Sequence, residues 1–150
     1  MSAAKLVASG LGAGWTPVAP GSAGSLLALI LGIPMLAGPA WLLPAAALLA
    51  LLAGLWSIAA CGVNGDPGWV VIDEVAGQWL AMSGLARASP LGLAAAFAIF
   101  RLLDIAKPGP VAWAERQPGA AGIMADDLVA GALTAGILWA IRSRWPDVFG

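Results

Sequence analysis

The chain has 150 residues, 61% hydrophobic and 10% charged, with a net charge of -1. A soluble domain carries about 25% charged and 45–50% apolar residues, so the composition excludes an ordinary soluble fold and points to an integral membrane protein. The balanced charge leaves no basic footprint for nucleic acid, and a single cysteine, Cys61, excludes an internal disulfide and a Cys-rich metal site.

The first twenty residues contain one lysine and no compact apolar run ahead of a cleavage site, so no cleaved signal peptide is read. Residues 3–12 are read as a short interfacial helix. A bilayer core of about 30 Å takes roughly 20 apolar residues per helix, and five segments come near this. The first runs from Ser22 to Ala37 and is shortened or kinked by Pro34. The second, Trp41 to Gly62, is the cleanest span. The third runs from Trp69 to Ala86, after the turn signal Asn64-Gly65-Asp66-Pro67-Gly68. The fourth runs from Pro90 to Ala106, with Ser89 as its cap and Pro90 at the first helical position. Lys107-Pro108 stops it, because a residue before proline is pushed out of the α region. The fifth runs from Ala121 to Ile141. The predicted fold is one all-α membrane domain over residues 1–150, a bundle of about five transmembrane helices.

Eight of the fifteen charges lie in three patches: Asp66, Asp73 and Glu74; Arg101, Asp104 and Lys107; Asp126 and Asp127. Charges in apolar helices are costly in a bilayer and mark function by default. Alternating the direction of five spans brings all three patches to the face that also holds Pro20-Gly21-Ser22. The other face carries Arg87, Arg142 and Arg144, the last two read as snorkelling ends. With Arg101 and Lys107 set aside, two cations stand against three, so charge does not orient the chain.

Arg101 and Asp104 share a helix face at i,i+3 and can neutralise each other. The doublets Asp73-Glu74 and Asp126-Asp127 each splay by about 100°, so two packed helices are needed to clamp one ion. Five clustered carboxylates repel one another unless neutralised. An all-oxygen set without histidine selects Mg²⁺ or Mn²⁺. The metal ligands are read as Asp73, Glu74, Asp126 and Asp127, with Asp104 holding Arg101 or joining the metal. Arg101 and Lys107 supply a planar fork and a point charge for a phosphate. Ser22 and Ser25, in a Gly-Ser run opening a helix, add an anion cradle. Without histidine, a carboxylate must serve as any base. Glu115 is placed outside the site. The rival readings are a small transporter or ion-binding membrane protein, and a membrane alcohol phosphotransferase, although the latter's Asp-Gly-x-x-Ala-Arg signature is missing.

Four stretches carry a family resemblance: Pro20-Gly21-Ser22-Ala23-Gly24-Ser25; Asp66-Pro67 with Val71-Ile72-Asp73-Glu74-Val75-Ala76-Gly77; Phe100-Arg101-Leu102-Leu103-Asp104-Ile105-Ala106-Lys107-Pro108; and Gly122-Ile123-Met124-Ala125-Asp126-Asp127 with Ala130-Gly131. In order and spacing they resemble the phosphatidylglycerophosphatase A family. The resemblance implies a Mg²⁺-dependent phosphatase of the bacterial inner membrane. It would convert phosphatidylglycerophosphate to phosphatidylglycerol and phosphate, with the charged face toward the cytoplasm. Gln78 and Gly109 depart from bulkier residues often found there. Oligomeric state is not readable from the sequence.

Overall fold

Proline and glycine divide the chain where the sequence places them. The structure is a computed structural model describing residues 2–63 and 65–149, and those residues form helices without strands. Asn64, the first residue of the predicted turn, lies outside the described residues. A short helix α1 (Ala3–Ala8) and a 3-10 turn (Ala13–Trp15) precede α2 (Pro20–Gly32). A second 3-10 turn, Pro34–Ala37, follows Pro34 as expected and continues into α3 (Leu42–Ala60). Then come α4 (Ile72–Met82), α5 (Pro90–Ala106), α6 (Gly109–Glu115) and α7 (Gly119–Arg144). Ser89 caps α5 by accepting the Gly92 amide at 3.1 Å. Lys107 closes α5 with φ 46° ahead of Pro108.

Three stretches are long and apolar enough to cross a membrane: Pro20–Ala37, Leu42–Ala60 and Gly119–Arg144. The third and fourth predicted segments are shorter helices. With 11 residues, α4 spans about 16 Å at 1.5 Å per residue, roughly half of a bilayer core. Val70 and Val71 stay outside it, and the Val71 amide donates to Ala8 O at 2.9 Å instead of beginning the helix. Ser83 and Gly84 turn the chain at the other end.

The apolar content of α4 is explained by protein around it, since α7, α3, α2 and α5 pack on it. Val75, Ala76, Gly77, Gln78, Ala81 and Met82 are all buried. Close approach to α7 depends on glycine: a Cβ at Gly77 would lie 2.6 Å from the Asp127 carbonyl oxygen, and one at Gly131 would run into the Gly77 backbone. These two helices therefore meet backbone to backbone, which sets the Asp73-Glu74 and Asp126-Asp127 doublets beside each other.

Beneath this pair, α1 and the turn after it brace the start of α4. Besides the Val71–Ala8 hydrogen bond, the Lys5 ammonium lies 5.5 Å from the centre of the Trp69 ring. Gly14 sits against the Trp69 backbone with no room for a side chain. Of the helix predicted over residues 3–12, the structure forms α1 over Ala3–Ala8, and the positive φ of Gly10, Leu11 and Gly12 ends it early; α1 supports the start of α4.

Candidate active site

The three charged patches meet. α4 begins with Asp73 and Glu74, α5 ends with Arg101, Asp104 and Lys107, and the third turn of α7 carries Asp126 and Asp127. One carboxylate oxygen each from Asp73, Glu74 and Asp127 lie within 4.8 Å of one another. So do oxygens from Asp104, Asp126 and Asp127. Asp127 therefore belongs to both triads and joins them. Asp73, Asp126 and Asp127 are buried, at 5%, 5% and 3% exposure.

The two cations border this cluster. Arg101 Nη1 pairs with Asp104 and stands 4.0 Å from Glu74 Oε1. The self-neutralising Arg101–Asp104 pair is real, yet the same guanidinium also faces Glu74. Lys107 Nζ donates to Asp126 Oδ2 and Glu115 Oε1, each at 2.7 Å. Burial alone would lower the Lys107 ammonium, but its bonds to Asp126 and Glu115 outweigh that and hold it above the usual lysine range.

Among the described residues, two oxygens in the cluster have no hydrogen-bond partner. Glu74 Oε2 and Asp127 Oδ1 are buried without a hydrogen-bond partner, as is Arg101 Nε. A buried carboxylate oxygen without a partner is costly. Two cations against five carboxylates leave an excess of negative charge that a hard divalent cation neutralises. The donor set, all carboxylate oxygen within a few ångström, fits Mg²⁺ or Mn²⁺.

The two serines of the predicted cradle stand in the first turns of α2. Ser25 is buried and donates its hydroxyl to Gly21 O at 2.9 Å, back along its own helix. Ser22 stays half-buried in the first turn of α2. The residue between Pro20 and Ser22 proves more telling. A Cβ at Gly21 would overlap the Glu74 carboxylate and lie 3.2 Å from Arg101 Nη2. Gly21 lets the α2 N-terminus close over that pair.

Two residues missed in the sequence belong here. Glu115 sits on α6, a helix that no apolar periodicity announces, and it clasps Lys107. Gly21 was read only as part of the Gly-Ser run that opens a helix, without its contact to Glu74 and Arg101. Asp66 lines a cavity of about 120 Å³ together with Glu115 and Asp126, so the first patch reaches the site through its loop as well as through α4.

The phosphatidylglycerophosphatase A family model matches residues 6–142, which include every residue of the cluster. The chain belongs to the phosphatidylglycerophosphatase A family. It is therefore an enzyme, a phosphatase. It is 38% identical over 146 residues to the phosphatidylglycerophosphatase A of Escherichia coli K12, covering 94% of this chain and 84% of that protein. The Haemophilus influenzae phosphatidylglycerophosphatase A is 36% identical over 144 residues, covering 91% and 87%. A Bacteroides thetaiotaomicron protein, provisionally named a phosphatidylinositol-3-phosphatase, is 36% identical over 150 residues, covering 93% and 92%. No solved structure matches the chain.

Proposed function

We propose that this chain removes the terminal phosphate of phosphatidylglycerophosphate, giving phosphatidylglycerol and inorganic phosphate, and that it requires Mg²⁺. The observation that carries the reading is the pair of carboxylate triads sharing Asp127, bordered by Arg101 and Lys107. The names of the Escherichia and Haemophilus relatives support the lipid.

Asp73, Glu74, Asp126 and Asp127 would hold the metal, with Asp104 adjoining. When bound, it would polarise the phosphoryl group and acidify water. Arg101 and Lys107 bind the phosphate oxygens, one as a fork and one as a point charge. Both are held in carboxylate contacts before substrate arrives, so little reorientation is needed. With no histidine in the chain, a cluster carboxylate takes the proton of the attacking water. Water adds to phosphorus, the ester P–O bond breaks, and the lipid glycerol oxygen leaves and takes up a proton.

The chain is proposed to cross the bacterial inner membrane five times. α4 with the residues flanking it would complete the third crossing and α5 the fourth. The acidic face would look to the cytoplasm. A phosphoinositide 3-phosphate is the second substrate to test, because the Bacteroides relative carries that name and the same monoester chemistry serves both.

The test is phosphate release by the purified chain in detergent, with each lipid, in Mg²⁺ and after chelation. Release from phosphatidylglycerophosphate that stops on chelation supports the proposal. Release that persists in chelator removes the metal assignment.

A further inference from the structure

The end of the bundle opposite the acidic cluster is built differently. There the last turn of α7, the turn after α4 and the loop between α2 and α3 come together. They line a cavity of about 280 Å³, and a second of about 270 Å³, walled also by Pro146 and Phe149 beyond α7, shares Arg142 and Ala86 with it. Arg87 lines the second cavity. Arg142 Nε is buried and has no hydrogen-bond acceptor. Among the described residues, neither Arg87 nor Arg142 forms an ion pair with a carboxylate.

A buried guanidinium N–H without an acceptor is as costly as an orphaned carboxylate, and here it lies next to open space. The rest of the first cavity is mixed. Leu36, Leu43 and Leu85 give it apolar walls, while Ser83 lies at its edge. Arg142 borders the apolar wall of the first cavity, and in the second it is joined by Arg87 beside Pro146 and Phe149; guanidinium groups next to apolar surface at the end of membrane-length helices match the boundary between lipid headgroup and acyl chain. Guanidinium forks match phosphate oxygens in shape and charge. Basic pockets between helix ends bind anionic headgroups on these terms.

We propose that Arg87 and Arg142 form a second phosphate site, which takes the headgroup phosphate of an anionic phospholipid from the leaflet opposite the acidic cluster. The apolar wall receives the start of an acyl chain, which free phosphate lacks. The site uses no residue of the acidic cluster and does not depend on what that cluster hydrolyses.

The test is native mass spectrometry of the chain released from nanodiscs of phosphatidylcholine with phosphatidylglycerol. Arg101→Gln is used as the background, so that lipid held at the acidic face contributes little. In this background the chain retains phosphatidylglycerol, and adding Arg142→Gln or Arg87→Gln reduces retention about tenfold, the scale of one lost charged hydrogen bond. Arg142→Lys retains more than Arg142→Gln. Thermal melting of each variant checks the fold, and Arg87 is exposed, so its replacement leaves packing unchanged. Undiminished retention in folded Arg87→Gln and Arg142→Gln variants overturns the site. Equal retention of phosphatidylcholine removes the charge selectivity, and displacement by inorganic phosphate alone reassigns the site to a free anion, so either result overturns the lipid.

Discussion

Asp127 on α7 shares one carboxylate triad with Asp73 across the α4–α7 contact and a second with Asp126 beside it. The contact is close because Gly77 and Gly131 let the two backbones touch. Asp127 is thus the one acidic side chain common to both groups, and its Oδ1 has no protein partner. Replacing it with asparagine removes a charge while keeping the shape. Asp127→Asn and Asp73→Asn are each predicted to lower phosphate release by about a thousandfold or more, as for loss of a preorganised electrostatic group.

The same substitutions have the opposite sign on stability. Buried like charges repel one another, so removing one relieves strain when no metal is present. In chelator, Asp127→Asn is predicted to melt at or above the wild-type temperature, read by circular dichroism. A strongly lowered melting point would show that Asp127 has a structural role instead.

Gly21 tests the geometry around Glu74. Gly21→Ala puts a methyl group into the Glu74 carboxylate and must displace it or tilt α2. Activity is predicted to fall at least about tenfold, the factor that corresponds to about 1.4 kcal/mol of lost contact energy, while helical content is unchanged. Wild-type activity in Gly21→Ala would mean that the Glu74–Arg101 arrangement is not needed.

Glu115 is predicted to matter little. Its bond to Lys107 is well formed at 2.7 Å, but the Glu115 side chain is 52% exposed. Exposed pairs contribute about 0–1 kcal/mol, so Glu115→Gln changes activity by less than about fivefold. Lys107→Met should cost far more, because it leaves Asp126 unpaired and removes a phosphate ligand. Similar losses in both variants would mean that α6 holds the site closed through Glu115.

The convergence of the charges was legible from the order and alternating direction of five apolar segments, each of which is a helix or contains one. Asp73-Glu74, Arg101 to Lys107 and Asp126-Asp127 come together whichever way the helices are tilted. Gly77 and Gly131 stand in the same stretches as the acids, and small residues there permit the close approach that the two backbones make. The length of α4 was not legible. Apolarity reports burial, and burial in protein looks the same as burial in lipid until Val71 is seen bonding to Ala8. The short helix α6 escaped because seven residues give too few turns for a period, and with it went Glu115. Ser25 looked free in sequence because nothing there shows a hydroxyl turning back to Gly21 O.

The claim that the shared-Asp127 cluster is a metal-dependent lipid phosphatase site is tested most directly by titrating Mg²⁺ into metal-free wild-type and Asp127→Asn protein while following phosphate release from phosphatidylglycerophosphate. The account predicts saturable activation of the wild type and none of the variant. Release that is independent of Mg²⁺, or equal activation of both proteins, would contradict it.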